Sequence, residues 1–241
     1  LYEKTLRKFG YQLAVMASGT PCHVAPMYDA GGALVAQKLR LPNKDFRWLG
    51  DAKDATLFGE HVWGRGGKRL VITEGEIDAL SYAQATGLTW PVVSIPSGAQ
   101  SAVKALRKSI DFVESFDEVV LMFDADDAGR QAALDCIEIL PPAKAKIATL
   151  PLKDASDMLK AGMVKELKEA VYSAKTHRPD GVLEGTDIDL ALLKVATPRG
   201  FSLPYEELSG VMHGIRQREL CVLTAGSGIG KTTLAREIGY H

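Results

Sequence analysis

The spacing of apolar residues changes along the chain. In the first part they come in short runs, 11–16, 24–28 and 33–39, each bounded by turn residues and strand-like in length. Asp29-Ala30-Gly31-Gly32 lies between the last two runs and is a hairpin signal. From Lys68 onward, strand-like and helix-like segments alternate. The runs 69–73, 92–95, 118–123 and 146–150 read as strands. The segments 76–86, 101–113, 127–140 and 163–174 read as helices. Gly87 stands where a helix C-cap is expected, and Pro141-Pro142 stops the third helix. This alternation predicts an α/β fold, a mainly parallel sheet with flanking helices on both faces, preceded by a small β-rich piece. Residues 175–189 are polar and broken by Pro179 and Gly181, as in a linker, with a short helix over 188–195. A strand at 219–224, a Gly-rich loop and a helix running to His241 follow. The expected division is 1–68, a basic N-terminal part; 69–175, the α/β part; 176–200, a linker; and 201–241, the start of a further domain.

Composition narrows the class. The chain has 241 residues, 46% hydrophobic and 24% charged, which fits a soluble globular protein and excludes a disordered tail. The three cysteines, Cys22, Cys136 and Cys221, form no CxxC pair, so neither a zinc site nor a disulfide framework is indicated. No apolar run approaches the roughly 20 residues of a membrane span, and no charged-then-apolar leader opens the chain. A cytoplasmic protein without a membrane partner is expected. Charge is uneven: residues 1–70 hold 11 Lys and Arg against 6 Asp and Glu, whereas residues 71–130 hold 4 against 10. A polyanion partner beside a cation site would explain this, and so would an uneven solvated surface.

Acidic residues gather where an α/β sheet binds its ligands, after the carboxyl ends of the strands. Glu74 follows the strand at 69–73, with Glu76 and Asp78 just beyond. Asp124, Asp126 and Asp127 follow the strand at 118–123, and Asp154 and Asp157 follow the strand at 146–150. On an extended strand end, Asp124 and Asp126 would point the same way. Carboxylates this close repel one another unless a cation lies between them. Hard oxygen donors leaving room for water and phosphate describe a Mg²⁺ site. Helix capping by Asp126, Asp127 or the Asp154 segment is the competing reading, and the two roles can coexist.

The residues ITEGEIDAL, LMFDADDAGR and KDASDML together resemble a TOPRIM domain, the module of bacterial-type primases, topoisomerases and some nucleases. The wording of these motifs, with VAQKLRLPNKDFR and LFGEHVW upstream, is similar to the bifunctional primase–helicases of T-seven-like phages and their mitochondrial relative Twinkle. The resemblance implies that Glu74 is a metal-linked or general-base glutamate. It implies that Asp124 and Asp126 bind Mg²⁺, with two ions expected, and that Asp78 and Asp154 support them. It also implies that Lys38 and Lys44 hold the phosphates of an incoming ribonucleotide; position alone favours surface charge on a hairpin for both. Implied partners are a single-stranded DNA template, ribonucleoside triphosphates, further copies in a homo-hexamer and a DNA polymerase.

The loop Ala225-Gly226-Ser227-Gly228-Ile229-Gly230-Lys231-Thr232, followed by Thr233, matches the phosphate-binding pattern except that Ala225 stands where Gly is usual. Backbone N–H groups of such a loop cradle phosphates, Lys231 reaches them and Thr232 holds Mg²⁺. By the resemblance this begins a RecA-like, ATP-driven helicase domain. The family's zinc module, acidic Walker B strand and arginine finger are expected to lie outside this chain, which therefore reads as a fragment. Expectation thus settles on a DNA primase joined to the start of a replicative helicase. A catalytically silent TOPRIM platform, or a TOPRIM topoisomerase or nuclease, is the alternative. No tyrosine stands in a context that marks a topoisomerase nucleophile, and the five histidines do not cluster.

Overall fold

The computed structural model describes residues 1–43, 45–141, 144–176 and 200–241. Two units are present, Leu1–Asp180 and Gly181–His241.

The first unit holds two sheets. A helix, α1 (Glu3–Phe9), leads into an antiparallel sheet of four strands in the order β1-β2-β3-β4: β1 (Gln12–Val15), β2 (Pro21–Tyr28), β3 (Leu34–Arg40) and β4 (Phe46–Gly50). The turn at Asp29 forms as expected. Its carboxylate accepts from Gly31 N–H and Ala33 N–H, both at 2.9 Å. The periodicity did not reveal α1 or β4. β4 alternates around Arg47 with no apolar run, and it exists because β3 supplies its ladder, with Lys38 opposite Trp48 and Arg40 opposite Phe46.

The second sheet has the order β6-β5-β7-β8-β9. Strands β5 (Gly67–Thr73), β6 (Val92–Ser94), β7 (Phe116–Met122) and β8 (Ala145–Ile147) run parallel, and β9 (Lys175–Thr176) closes one edge antiparallel to β8. Helices α2 (Glu76–Ala85), α3 (Ala102–Lys108), α4 (Ile110–Glu114), α5 (Asp127–Ile137), α6 (Ala155–Lys160) and α7 (Val164–Tyr172) cover it. The helix expected over 101–113 is broken at Ser109. That residue is buried, and its hydroxyl donates to Glu60 Oε2 at 2.6 Å, so the side chain serves a neighbouring segment and the helix turns there.

The period of two sorts the parallel strands between two cores. Leu70, Ile72, Val119 and Leu121 pack against α3, α4 and α5 through Leu106, Val113 and Cys136. Val71, Val120 and Met122 face the other way, onto Leu80, Met158, Leu167 and Val171. Phe9, Tyr11, Ala25, Met27 and Ala36 belong to that same second core. The antiparallel sheet and the parallel sheet therefore share one interior. Phe9 stacks on Phe58 with centroids 5.8 Å apart and meets Trp63 edge-on at 6.0 Å. Gly59 (φ +87°) permits this, since a Cβ there would stand 2.7 Å from the Phe9 ring.

In the second unit, a helix α8 (Glu206–Met212) is flanked by an antiparallel bridge between Phe201 and Ile215, and a final helix α9 spans Lys231–Tyr240. The strand expected over 219–224 does not form. The segment is exposed, and among the described residues no strand lies beside it to supply a ladder. The short helix expected over 188–195 lies outside the described residues. Among those described, no helix is long and apolar enough to cross a membrane.

Two glycines with positive φ separate backbone strain from crowding. At Gly87 (φ +66°) an added Cβ would meet nothing within 4 Å, whereas at Gly59 it would meet the Phe9 ring. Gly87→Ala is expected to lower stability by about 1 kcal/mol, and Gly59→Ala by roughly 2 kcal/mol or more, in urea unfolding. Equal midpoints for the two variants would contradict the packing of Phe9.

Candidate active site

The carboxyl ends of β5 and β7 lie side by side, with Thr73 paired to Met122. Glu74 follows β5 directly. It is half-buried, and its Oε2 has no hydrogen-bond partner and no access to solvent. Asp124 comes two residues after β7 and is also half-buried. The first turn of α5 presses against it: a Cβ on Gly129 would stand 2.3 Å from the Asp124 carbonyl oxygen, so only glycine fits there. Asp78 projects from the first turn of α2 and accepts from Ser156 N–H at 3.0 Å. Asp154 caps α6, accepting from Asp157 N–H at 2.7 Å.

The five predicted acids share one electrostatic environment, which Asp126 joins through its effect on Asp124 alone. Burial first, and then the charges of Asp154, Asp124 and Glu74, together raise the Asp78 carboxyl to about 7 against the pull of the Ser156 N–H. Burial also raises Asp124, to about 6, aided by Glu74 and Asp154 and opposed by Lys153, whose ammonium lies 3.7 Å from it. Asp126 is placed differently. The chain bends after Phe123, leaving Asp126 exposed as the N-cap of α5, where it accepts from Gly129 N–H at 2.9 Å. It lines neither cleft described below.

The lysines also part ways. Lys38 is buried on β3, and its Nζ donates to Glu76 Oε1 and to the Pro96 carbonyl oxygen, both at 2.7 Å, beneath the ring of Phe46 at 4.5 Å. To reach a phosphate it would have to leave Glu76. Lys44 lies outside the described residues.

Two clefts flank the acids. The wider, about 1110 Å³, has Asp78, Asp124 and Asp154 on one wall and Leu13, His23, Arg40 and Phe46 on the other. The strand register sets those four in a row across the antiparallel sheet, Leu13 opposite His23, His23 opposite Arg40, Arg40 opposite Phe46. The narrower, about 350 Å³, is bounded by Glu74, Asp78 and Asp124 with Lys38, Arg40 and Trp48. The sequence named Glu76 among the acids without its lysine partner, and did not single out Arg40, His23, Phe46 or Trp48. The available signal was the alternation of Lys38 and Arg40, which puts both on one face, but β4 had to be recognised to bring the aromatics beside them.

The donor set fits a divalent cation: oxygen ligands only, mutually repelling, with one buried carboxylate oxygen left unpaired. Among the described residues no three of these side chains already stand in a coordinating arrangement, so the ligand set is gathered but not closed.

In the second unit the phosphate-loop residues Gly226, Ser227, Gly228, Ile229 and Gly230 are exposed ahead of α9. Lys231 Nζ folds back to donate to the carbonyl oxygens of Ala225 and Gly226, both at 2.7 Å. Thr232 and Thr233 occupy the first turn of α9.

Residues 71–159 match the Toprim-like family model, and residues 1–50 match that of the bacteriophage T7 DNA helicase/primase N-terminal α+β fold. The crystal structure of the primase fragment of the bacteriophage T7 primase–helicase is 40% identical, with TM-score 0.66, over 70% of each chain. A second structure holds T7 primase domains bound to an RNA/DNA hybrid and dTTP with the lagging-strand DNA polymerase. It is 38% identical, with TM-score 0.69, over 73% of this chain and 89% of that one. The chain belongs to the T7-type phage primase–helicase family. The DNA helicase/primase of Enterobacteria phage T3 is 36% identical over 239 residues, which is 98% of this chain and 42% of that protein. The chain thus spans about two-fifths of that relative's length. A primase from Aquifex aeolicus, 19% identical with TM-score 0.54, shares the fold.

The raised carboxyls set a pH dependence. Asp78 and Asp124 bind protons more tightly folded than unfolded, so their contribution to stability is full below the ordinary Asp range near about 4 and is lost as pH rises through about 7. Cation-free protein is therefore expected to lose stability across that window, and Asp124→Asn to lose less. Added Mn²⁺ should restore the parent most at the high end. Thermal melts at a series of pH values check this; parallel curves for parent and variant would contradict it.

Proposed function

We propose that the chain is a DNA primase, a nucleotidyltransferase that joins ribonucleoside triphosphates on a single-stranded DNA template. It would be carried ahead of an ATP-driven 5′–3′ replicative helicase that begins with the phosphate loop. The observation that carries this reading is the gathering of Asp78, Asp124 and Asp154 along a groove whose opposite wall bears Arg40, His23 and Phe46, with Glu74 beside them in the adjoining cleft. Family membership supports it. The division into 1–68, 69–175, 176–200 and 201–241 belongs to the same proposal. So do a homo-hexameric assembly, a DNA polymerase partner and action in the host cytoplasm.

In this reading a primer 3′-hydroxyl attacks the α-phosphorus of the incoming nucleotide, and pyrophosphate leaves. Mg²⁺, expected as two ions, would supply charge to the phosphate oxygens and acidity to the hydroxyl. Asp124 and Asp78 would hold it with Glu74, whose unpaired Oε2 is the oxygen free to bind the cation or take the hydroxyl proton. Asp154 would hold its carboxylate near Asp78 through the α6 cap, and Asp126, whose Oδ1 accepts from Gly129 N–H, would offer the cation its other oxygen. Lys153, beside Asp124, and Arg40, across the groove, are placed to meet phosphate charge. Lys38 would act from beneath, fixing the wall on which Arg40 sits. Lys44 keeps the phosphate role implied by the resemblance. Gly226 to Gly230 with Lys231, Thr232 and Thr233 would bind ATP in the full helicase.

Ribonucleotide incorporation on a single-stranded template tests this. Asp124→Ala and Glu74→Gln are expected to lose at least about 100-fold in rate while remaining folded. Lys231→Ala should incorporate normally. Loss in the Lys231 variant with retention in Asp124→Ala would overturn the assignment of the chemistry to the acids, and normal rates in both acid variants would favour the silent-platform reading.

A further inference from the structure

A second positively lined cleft opens off the narrow one. Its volume is about 400 Å³, and its lining includes Trp48, Lys53, Asp54, Ser97, Lys104 and Lys108. Trp48 and Ser97 also line the cleft that holds Glu74, Asp78 and Asp124, so the two spaces meet at those residues. Three lysines thus line a cleft that shares Trp48 and Ser97 with the cleft holding the carboxylates.

What distinguishes these three lysines is their convergence in one cleft, since Lys4, Lys8, Lys68, Lys144 and Lys168 also stand in no ion pair among the described residues. Lys146, Lys153, Lys160 and Lys165 each stand within 4 Å of a carboxylate, and so does buried Lys38. Among the described residues none of Lys53, Lys104 and Lys108 is in an ion pair. All three are exposed. Lys108 Nζ donates to the Lys53 carbonyl oxygen, which ties the end of α3 to the turn after β4. Lys104 and Lys108 are four residues apart on α3, so they share a face about 6 Å apart along the axis. That repeat suits consecutive phosphates of an extended strand. Asp54 is the acid in the lining, leaving a surplus of positive charge. The indole of Trp48, half-buried at the junction, offers a face on which a base can stack.

We propose that this cleft holds the phosphodiester backbone of single-stranded template next to the acidic centre, with Lys53, Lys104 and Lys108 each meeting phosphate and Trp48 stacking a base at the turn between the clefts. The proposal rests on the primase reading. It adds a binding track, lined by residues that the wide groove does not share, to which that reading assigns nothing. The chemistry recognised is a chain of phosphates, and the triphosphate of a nucleotide is the other source of it.

The experiment measures fluorescence anisotropy of a labelled oligothymidylate against the 241-residue chain over a range of salt concentrations. It also measures nucleotide KM and rate for dinucleotide synthesis on a template of trigger length. Lys53→Ser/Lys104→Ser removes two charges without touching the Lys108 bond, and Lys53→Arg/Lys104→Arg restores them. The serine pair is expected to bind the oligonucleotide several-fold more weakly, with a log–log salt slope shallower by about 1.4, two phosphates' worth for a single strand. The arginine pair should return to the parent, and nucleotide KM should not move. Unchanged affinity and slope in a folded serine variant would overturn the proposal. A raised nucleotide KM with unchanged DNA affinity would also overturn it and assign the cleft to a triphosphate. A parent chain that binds the strand but makes no RNA would sink the primase reading and leave the track to be judged on the serine and arginine pairs alone.

Discussion

The ion pair between Lys38 and Glu76 joins the two halves of the candidate site. One partner comes from the middle of the antiparallel sheet and the other from the first turn of α2, directly after Glu74. Both side chains are more than nine-tenths buried. Their attraction alone does not explain the arrangement, since burying two charges costs about what their pairing returns. What the pair imposes is place: neither charge is tolerable inside without the other, so the sheet docks where the two meet. The Pro96 carbonyl takes a second lysine proton and draws the loop after β6 into the same knot. Arg40, Phe46 and Trp48 then face the carboxylates because they share strands with Lys38 or pair with it.

The acids on the other side of that knot are held against their own repulsion. The parallel sheet, with its close-packed Leu, Ile and Val, fixes where β5 and β7 end, and Glu74 and Asp124 have little freedom to move apart. Gly129 lets α5 start hard against Asp124, and Ser156 pins Asp78. Core packing thus holds a concentration of negative charge that a bound cation would relieve. The two acids used as helix caps, Asp126 and Asp154, show that capping and proximity to the site coexist on adjacent turns of chain.

Much of this was legible in the sequence, for identifiable reasons. Runs such as 69–73 and 118–123 are buried on both faces, so their apolar content announces a parallel strand whatever the surroundings. The acids after them follow from where such strands end. The placement of Asp126 was not legible, because a strand end and a helix N-cap use the same residue and only the bend after Phe123 decides between them. Lys38 looked like a surface lysine on a hairpin, since nothing local records that Glu76, far along the chain, will bury it. β4 and α1 escaped because their ordering comes from partners, β3 for one and the Phe58–Trp63 pocket around Phe9 for the other. The lysines at positions 53, 104 and 108 stand in separate segments and meet only through the fold.

The central claim, that the carboxylate edge is a cation site assembled against charge repulsion, is tested most directly by the protons it releases. Titration calorimetry of Mn²⁺ into the chain, in buffers of different ionisation enthalpy, counts protons displaced per ion bound. With Asp78 near about 7 and Asp124 near about 6, the account predicts saturable binding with clear proton release at pH 6 that fades by pH 8. The release should be lost when both residues are changed to Asn. Saturable binding with no proton release at either pH, or release that survives in the double Asn variant, would contradict it.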